Sequence, residues 1–125
     1  DYEKANDILV KLDMPDSLND ILPAKMYSIL HLITEALTNI KKHSQARNIE
    51  LSLGYDDKRN LNINIKDDGR GFDVDAAKLS ALQYGKWGLI GMQQRAVSLG
   101  GVLTVTSQLQ KGTTVSFRIP LLQGT

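Results

Sequence analysis

MYSILHLITEALTNIKKH, residues 26–43, is the stretch that decides the fold, because it reads as one helix with two different faces. Met26, Ile29, Leu30, Ile33, Leu37 and Ile40 recur at spacings of three and four, the stripe that a helix buries against a core. His31, Glu35, Asn39 and His43 recur every four residues on another face, with Lys42 beside them. Such a face fits plain solvated surface. It also fits a phosphate chain with its cation, since magnesium takes oxygen ligands octahedrally and keeps several waters. One side-chain oxygen, from Asn39, is then enough if phosphates supply others. The helix alone leaves both readings open.

Working outward, Ile8, Val10 and Leu12 alternate with Leu9 and Lys11, so residues 7–12 read as a strand, which Pro15 ends. Pro23 sits where a first helical turn tolerates proline. After the long helix, Ile49, Leu51 and Leu53 form one alternating strand and Leu61, Ile63 and Ile65 another. The polar run Asp56–Asn60 between them makes the pair a hairpin. Residues 73–87 are weakly helical and lead into glycines at 85, 88 and 91, a pattern expected of a mobile loop or lid. Leu89, Met92, Ala96 and Leu99 outline a second helix that stops at Gly100-Gly101. Val102, Leu103 and Val105 begin a fourth strand, and Val115, Phe117 and Ile119 alternate in a fifth after a turn at Gln110-Lys111-Gly112. This order predicts an α+β fold, a two-layer sandwich whose mixed, mostly antiparallel sheet is covered by helices on one face.

Composition bounds the reading. At 125 residues the chain fits one domain over 1–125, and folding buries roughly two-thirds of the surface exposed by the unfolded form. No apolar run approaches the ~20 residues that a membrane helix needs, so direct membrane contact is not expected. Fifteen basic and fourteen acidic side chains leave a formal charge of +1, without the basic excess that drives nucleic-acid binding. The absence of cysteine excludes disulfides and thiolate metal sites and is compatible with a cytoplasmic location. The chain starts almost directly in a structured-looking segment, as a piece of a longer protein would.

The third strand carries the sharpest chemical detail. Its two-residue period puts Asp67 on the side of Leu61, Ile63 and Ile65, so a carboxylate points toward the core and needs a donor, whereas Asp68 opposite does not. An adenine amino group suits that carboxylate, and the acceptor of guanine does not. Gly69 and Gly71 allow close approach to the main chain. The same run also fits a plain turn. Gly88-Leu89-Ile90-Gly91 opens a helix whose free amides favour phosphate, or else it is a hinge. Arg95, one turn on, serves a phosphate or a surface carboxylate. Gly112-Thr113-Thr114 offers small donors or a hairpin turn. Trp87 and Phe72 fit a core as well as a ligand, and His31 reads as a packed or solvated helix residue.

Taken in order, these segments resemble the N, G1, G2 and G3 boxes of sensor histidine kinases. Glu35-Ala36-Leu37-Thr38-Asn39 with Lys42-His43 comes first, then Asp67-Asp68-Gly69-Arg70-Gly71-Phe72, then Gly88-Leu89-Ile90-Gly91-Met92, and finally Gly112-Thr113-Thr114. The resemblance covers nearly the whole chain and is to the catalytic ATP-binding domain, with the Bergerat fold shared by gyrase, MutL and a heat-shock chaperone. The EALTN-x-x-KH and W-G-L-x-G-M forms are most similar to kinases that pair with LuxR-type response regulators. The resemblance implies roles residue by residue. Asn39 matches the magnesium ligand, Glu35 the acid that acts as base or positions the reacting groups, and Lys42 and His43 positions near the phosphates. Asp67 matches the carboxylate on the adenine amino group, and Gly69 and Gly71 the glycines of that pocket. Gly88, Leu89 and Gly91 match the segment under the lid, and Thr113 or Thr114 the small polar residue closing the base site. Lys86 stands where histidine is common, and Gln93-Gln94-Arg95 replaces the more usual Arg-Glu-Arg.

The implied function is to bind ATP with Mg2+ and pass the γ-phosphoryl to a histidine on a separate dimerisation domain, for relay to a response regulator. Neither His31 nor His43 is followed by the acid expected after an acceptor histidine. The domain is then expected in the cytoplasm, or as the cytoplasmic part of a membrane-bound sensor. The rival readings are a nucleotide-dependent interaction module and an ATPase of the same superfamily without histidine phosphotransfer.

Overall fold

The computed structural model describes residues 8–19, 21–43, 45–71 and 89–121. Along these run β1 (Leu9–Asp13), α1 (Pro23–His43), β2 (Asn48–Tyr55), β3 (Asn60–Asp67), α2 (Leu89–Ser98), β4 (Val102–Ser107) and β5 (Thr113–Pro120). The expected α+β order is therefore the observed one among the described residues. The lid over 73–87, with Trp87, Gly88 and Phe72, lies outside them.

The sheet is ordered β1-β2-β3-β5-β4. Only β1 and β2 run parallel, as their connection through α1 requires; the other neighbours are antiparallel. Alternation does the rest. Ile49, Leu51, Leu53, Leu61, Ile63, Ile65, Val115, Phe117 and Ile119 are buried, while Glu50, Asn64, Lys66 and Arg118 between them are exposed. One face is thus apolar, and the helices cover it. The β2–β3 hairpin closes through Asp56, whose Oδ1 accepts the N–H groups of Lys58 at 2.9 Å and Asn60 at 3.0 Å. Its Oδ2 accepts the side-chain amides of Asn60 and Asn62, both at 3.1 Å. These bonds, first among them the one from the Asn60 backbone, hold the Asp56 carboxyl down at about 2.

Helix α1 buries Ile29, Leu32, Ile33, Ala36 and Ile40. Here the apolar stripe differs from the expected one: Leu30 is 54% exposed, and Leu32 and Ala36 take the inner positions. A spacing of three or four is satisfied by both phases, and only packing against the sheet chooses between them. Helix α2 buries Leu89, Met92 and Ala96. It ends in a paired motif, with Gly101 N–H donating to Ala96 O at 2.8 Å and Gly100 N–H to Val97 O at 2.9 Å. Gly100 has a φ of 75°, the left-handed conformation that such an end requires.

Candidate functional site

Strand β3 runs apolar side chains inward until its last residue, Asp67, which is 3% exposed. Its register partner on β5 is Thr113, 7% exposed. Among the described residues these are the buried polar or charged side chains, and they face each other at one end of the core. The Asp67 carboxylate accepts the Gly69 N–H at 2.8 Å and the backbone N–H of Thr113. Burial pushes its pKa up, the two backbone donors pull against that, and the negative charge of Asp68 adds to the rise. An ionised carboxylate offers about four lone-pair directions, so capacity is left for a ligand donor. Ser107 Oγ lies 2.8 Å from Thr113 Oγ1 and donates to Gly112 O at 3.0 Å, which ties the threonine to the neighbouring strand. Thr114, one residue on, points to the opposite face of the sheet with its partners Lys66 and Thr106.

Main chain builds the rest of this corner. Gly71, at φ 60°, presses against residues 108–112, and an added Cβ would overlap the Gln108 carbonyl oxygen. Gly112, at φ 85°, presses back against the Asp67 carbonyl oxygen. Gln110 N–H donates to Arg70 O at 2.6 Å across the contact. Gly69 and Gly71 are buried here. Asp68 differs from the expectation that it needs no donor. Its Oδ1 accepts the N–H groups of Arg47 and Asn48, each at 2.9 Å, and its Oδ2 accepts Asn48 Nδ2 at 2.7 Å. Partial burial raises its pKa, but the bonds from Asn48 and Arg47 outweigh that and leave it lowered. The carboxylate is exposed yet bonded, because the open amides at the start of β2 lie beside it. Nothing in the local sequence signals that contact.

The polar face of α1 is made of side chains. Glu35 is half-buried and meets Arg95 of α2, with Nε donating to Oε2 at 2.7 Å. Sequence left Arg95 open between phosphate and carboxylate; the carboxylate it meets is that of Glu35. A Cβ on Gly91 would stand 2.9 Å from Glu35 Oε1, so this glycine lies against the same acid. The spacing of four between Gly91 and Arg95, which puts both on one face of α2, is the signal that could have found this. Asn39, one turn beyond Glu35, has a buried Nδ2 without a hydrogen-bond partner. His31 is exposed, its ring 6.2 Å from that of Tyr27. His43 is the last residue of α1, and Leu89 is the buried first residue of α2. Lys42 is exposed and lines a groove of about 410 Å³ with Val10, Thr34, Leu37, Thr38 and Ile49, on the β1 flank of α1. The structure therefore joins Asp67, Gly69, Gly71 and Thr113 in one cluster and Glu35, Gly91 and Arg95 in another.

Known proteins resemble this chain over the same segments. Residues 26–123 match the family described as histidine kinase-, DNA gyrase B-, and HSP90-like ATPase. The chain is 35% identical over 91 residues to the sensor histidine kinase YdfH of Bacillus subtilis, which covers 73% of this chain and 22% of that protein. It is 30% identical over 121 residues to the sensor histidine kinase LiaS of the same organism, covering 97% of this chain and 31% of the relative. The chain thus spans less than a third of the length of either relative. Among solved structures, a blue-light activated histidine kinase of Erythrobacter litoralis superposes with a TM-score of 0.74 at 25% identity, over 95% of this chain and 38% of that one. The histidine kinase AdeS of Acinetobacter baumannii shares the fold, with a TM-score of 0.70 at 16% identity over 95% of this chain and 57% of that one.

Proposed function

Because this chain belongs to the histidine kinase-, DNA gyrase B-, and HSP90-like ATPase family and is an ATP-binding domain of the histidine-kinase kind, we propose that its 125 residues hold Mg-ATP for transfer of the γ-phosphoryl to a histidine on another domain of the same protein. The observation that carries this reading is the buried pair Asp67 and Thr113, a polar spot at the end of an otherwise apolar core. A buried carboxylate with unused acceptor capacity recognises a donor, and the adenine amino group is one; a guanine carbonyl there meets repulsion. Gly69 and Gly71 keep side chains out of that corner. Gly88, Leu89 and Gly91, with Lys42 and His43 at the end of α1, serve the phosphates, and Thr114 supports the base site only through its strand.

Asn39 fits a magnesium ligand. Its side chain is part-buried one turn beyond Glu35 and its Nδ2 makes no hydrogen bond that would anchor the amide, while the ligand to the metal would be the amide oxygen. Bound there, magnesium supplies charge neutralisation along the phosphates. In the transfer, a histidine nitrogen forms a bond to the γ-phosphorus as the bond from that phosphorus to the bridging oxygen breaks. ADP leaves, and Glu35 takes the proton that the imidazole loses. Oriented placement, rather than covalent chemistry by the domain, is what such a reaction needs. The acceptor histidine, its dimerisation domain and a response regulator, of the LuxR type by the resemblance of residues 35–43 and 87–92, are the partners. Among the described residues no helix is long and apolar enough to cross a membrane. We assign the domain to the cytoplasmic side, where ATP and the regulator are.

Thermal stability with ADP, ATP, GTP or no nucleotide, each with and without magnesium, tests the reading. Adenine nucleotides at a hundred times their dissociation constant are expected to add about 2.7 kcal/mol, and guanine nucleotides nothing. Asn39→Ala is expected to remove the magnesium-dependent part of the shift. No shift with any nucleotide would turn the reading to an interaction module. A shift without phosphohistidine in the intact protein would turn it to an ATPase.

A further inference from the structure

Glu35 is carried by α1 but held by α2. Arg95 donates to its Oε2 at 2.7 Å, joining the two helices across sixty positions of sequence. Gly91, one turn earlier on the same face of α2, lies against Oε1, where any larger residue would push the carboxylate away. Both oxygens are therefore set by one face of one helix. The guanidinium is planar and donates from a fixed direction, so it orients the carboxylate as well as neutralising it. The Arg95 side chain is 44% exposed and that of Glu35 27%, and an ion pair so open adds little to stability. Its worth lies in orientation.

We infer that Arg95 is a positioning residue of the phosphotransfer reaction: it anchors Oε2 of Glu35 so that Oε1, beside Gly91, is the oxygen presented to the incoming histidine. Arg95 acts through the acid and does not touch the nucleotide. This rests on the role proposed above for Glu35. It also gives Gly91, besides its place near the phosphates, a second reason to be glycine.

The test uses the intact protein that contains this domain, with wild type, Arg95→Ala, Glu35→Gln and the double variant compared for phosphohistidine formation at varied ATP. For Arg95→Ala, kcat is expected to fall by about tenfold to a hundredfold, the cost of a misplaced catalytic group, with KM for ATP within about twofold of wild type. In the Glu35→Gln background, removing Arg95 is expected to change the rate less than about twofold, since its target is already altered. Losses that multiply in the double variant, or a raised KM with kcat kept, overturn the inference and make Arg95 a nucleotide contact. A wild-type protein that binds ATP but forms no phosphohistidine overturns the kinase reading and this inference with it, and that failure is visible before any variant is made. Thermal melting of Arg95→Ala within a few degrees of wild type excludes misfolding as the cause of a loss.

Discussion

At the Asp67 corner main chain meets main chain, while at the Glu35 face side chain meets side chain, and the two halves of the site should answer mutation in opposite ways. Gly71 and Gly112 lock the β3 end to residues 108–112 at left-handed φ values. Glu35, Gly91 and Arg95 touch through a carboxylate and a guanidinium at the ends of flexible chains. A base-selecting corner gains from rigidity, because selectivity depends on a buried acceptor that cannot move to meet the wrong base. Under the function proposed above, the Glu35 face has to admit a histidine from elsewhere, so it gains from groups that are oriented yet exposed.

The largest effect tests this difference directly. Gly112→Ala drives a Cβ into the Asp67 carbonyl at φ 85° and is expected to destabilise by about 3–5 kcal/mol, combining backbone strain with overpacking. Gly91→Ala meets only the tip of Glu35 and is expected to cost under about 1 kcal/mol while lowering phosphotransfer. Urea unfolding of both variants decides, and equal losses would break the comparison.

Neighbouring carboxylates sharpen it further. The raised pKa of Asp67 means that the folded state holds its proton more tightly than the unfolded one. Its favourable contribution is therefore full below the ordinary carboxylate value and is lost as pH rises through the raised one. At neutral pH the buried charge is a cost to the nucleotide-free fold. Asp67→Asn is expected to stabilise the nucleotide-free domain at pH 7, by on the order of 1 kcal/mol, while abolishing the preference for ADP over GDP. Melting curves with each nucleotide read both effects. Asp68 runs the other way: its lowered pKa gives stability that is present above the ordinary value and lost as pH falls through the folded one. Asp68→Ala releases the Arg47 and Asn48 donors to solvent and is expected to cost about 1 kcal/mol at pH 7 and nothing in strong acid, measured by urea unfolding at the two pH values. Smallest is the hairpin. Asp56, held at about 2, should still be ionised near pH 3 in a carbon-detected NMR titration, and what it adds to stability fades between 3.8 and about 2.

Much of the site was legible because alternation along a strand is local. The period of two through Leu61, Ile63 and Ile65 was enough to turn Asp67 inward, and the same period separates Thr113 from Thr114. Helical spacing was less decisive. It grouped Glu35 with Asn39, yet placed Leu30 in the core where Leu32 and Ala36 belong. A stripe read at three-and-four spacing tolerates a shift in phase that only the opposing surface removes.

The sequence by itself determined the order of elements, the hairpin, the inward carboxylate and the family, since each depends on short-range periodicity or on residue types at fixed spacings. Tertiary structure alone decided that Arg95 answers Glu35, that Gly91 makes room beside it, that Asp68 secures the start of β2 and that Gly71 and Gly112 weld the Asp67 corner. Each of those contacts joins side chains or carbonyls far apart in sequence, and no local pattern encodes which distant donor will fill a given acceptor. That is settled when the helices come down on one face of the sheet and packing fixes their phase, which buries Leu32 and Ala36 and leaves Leu30 outside.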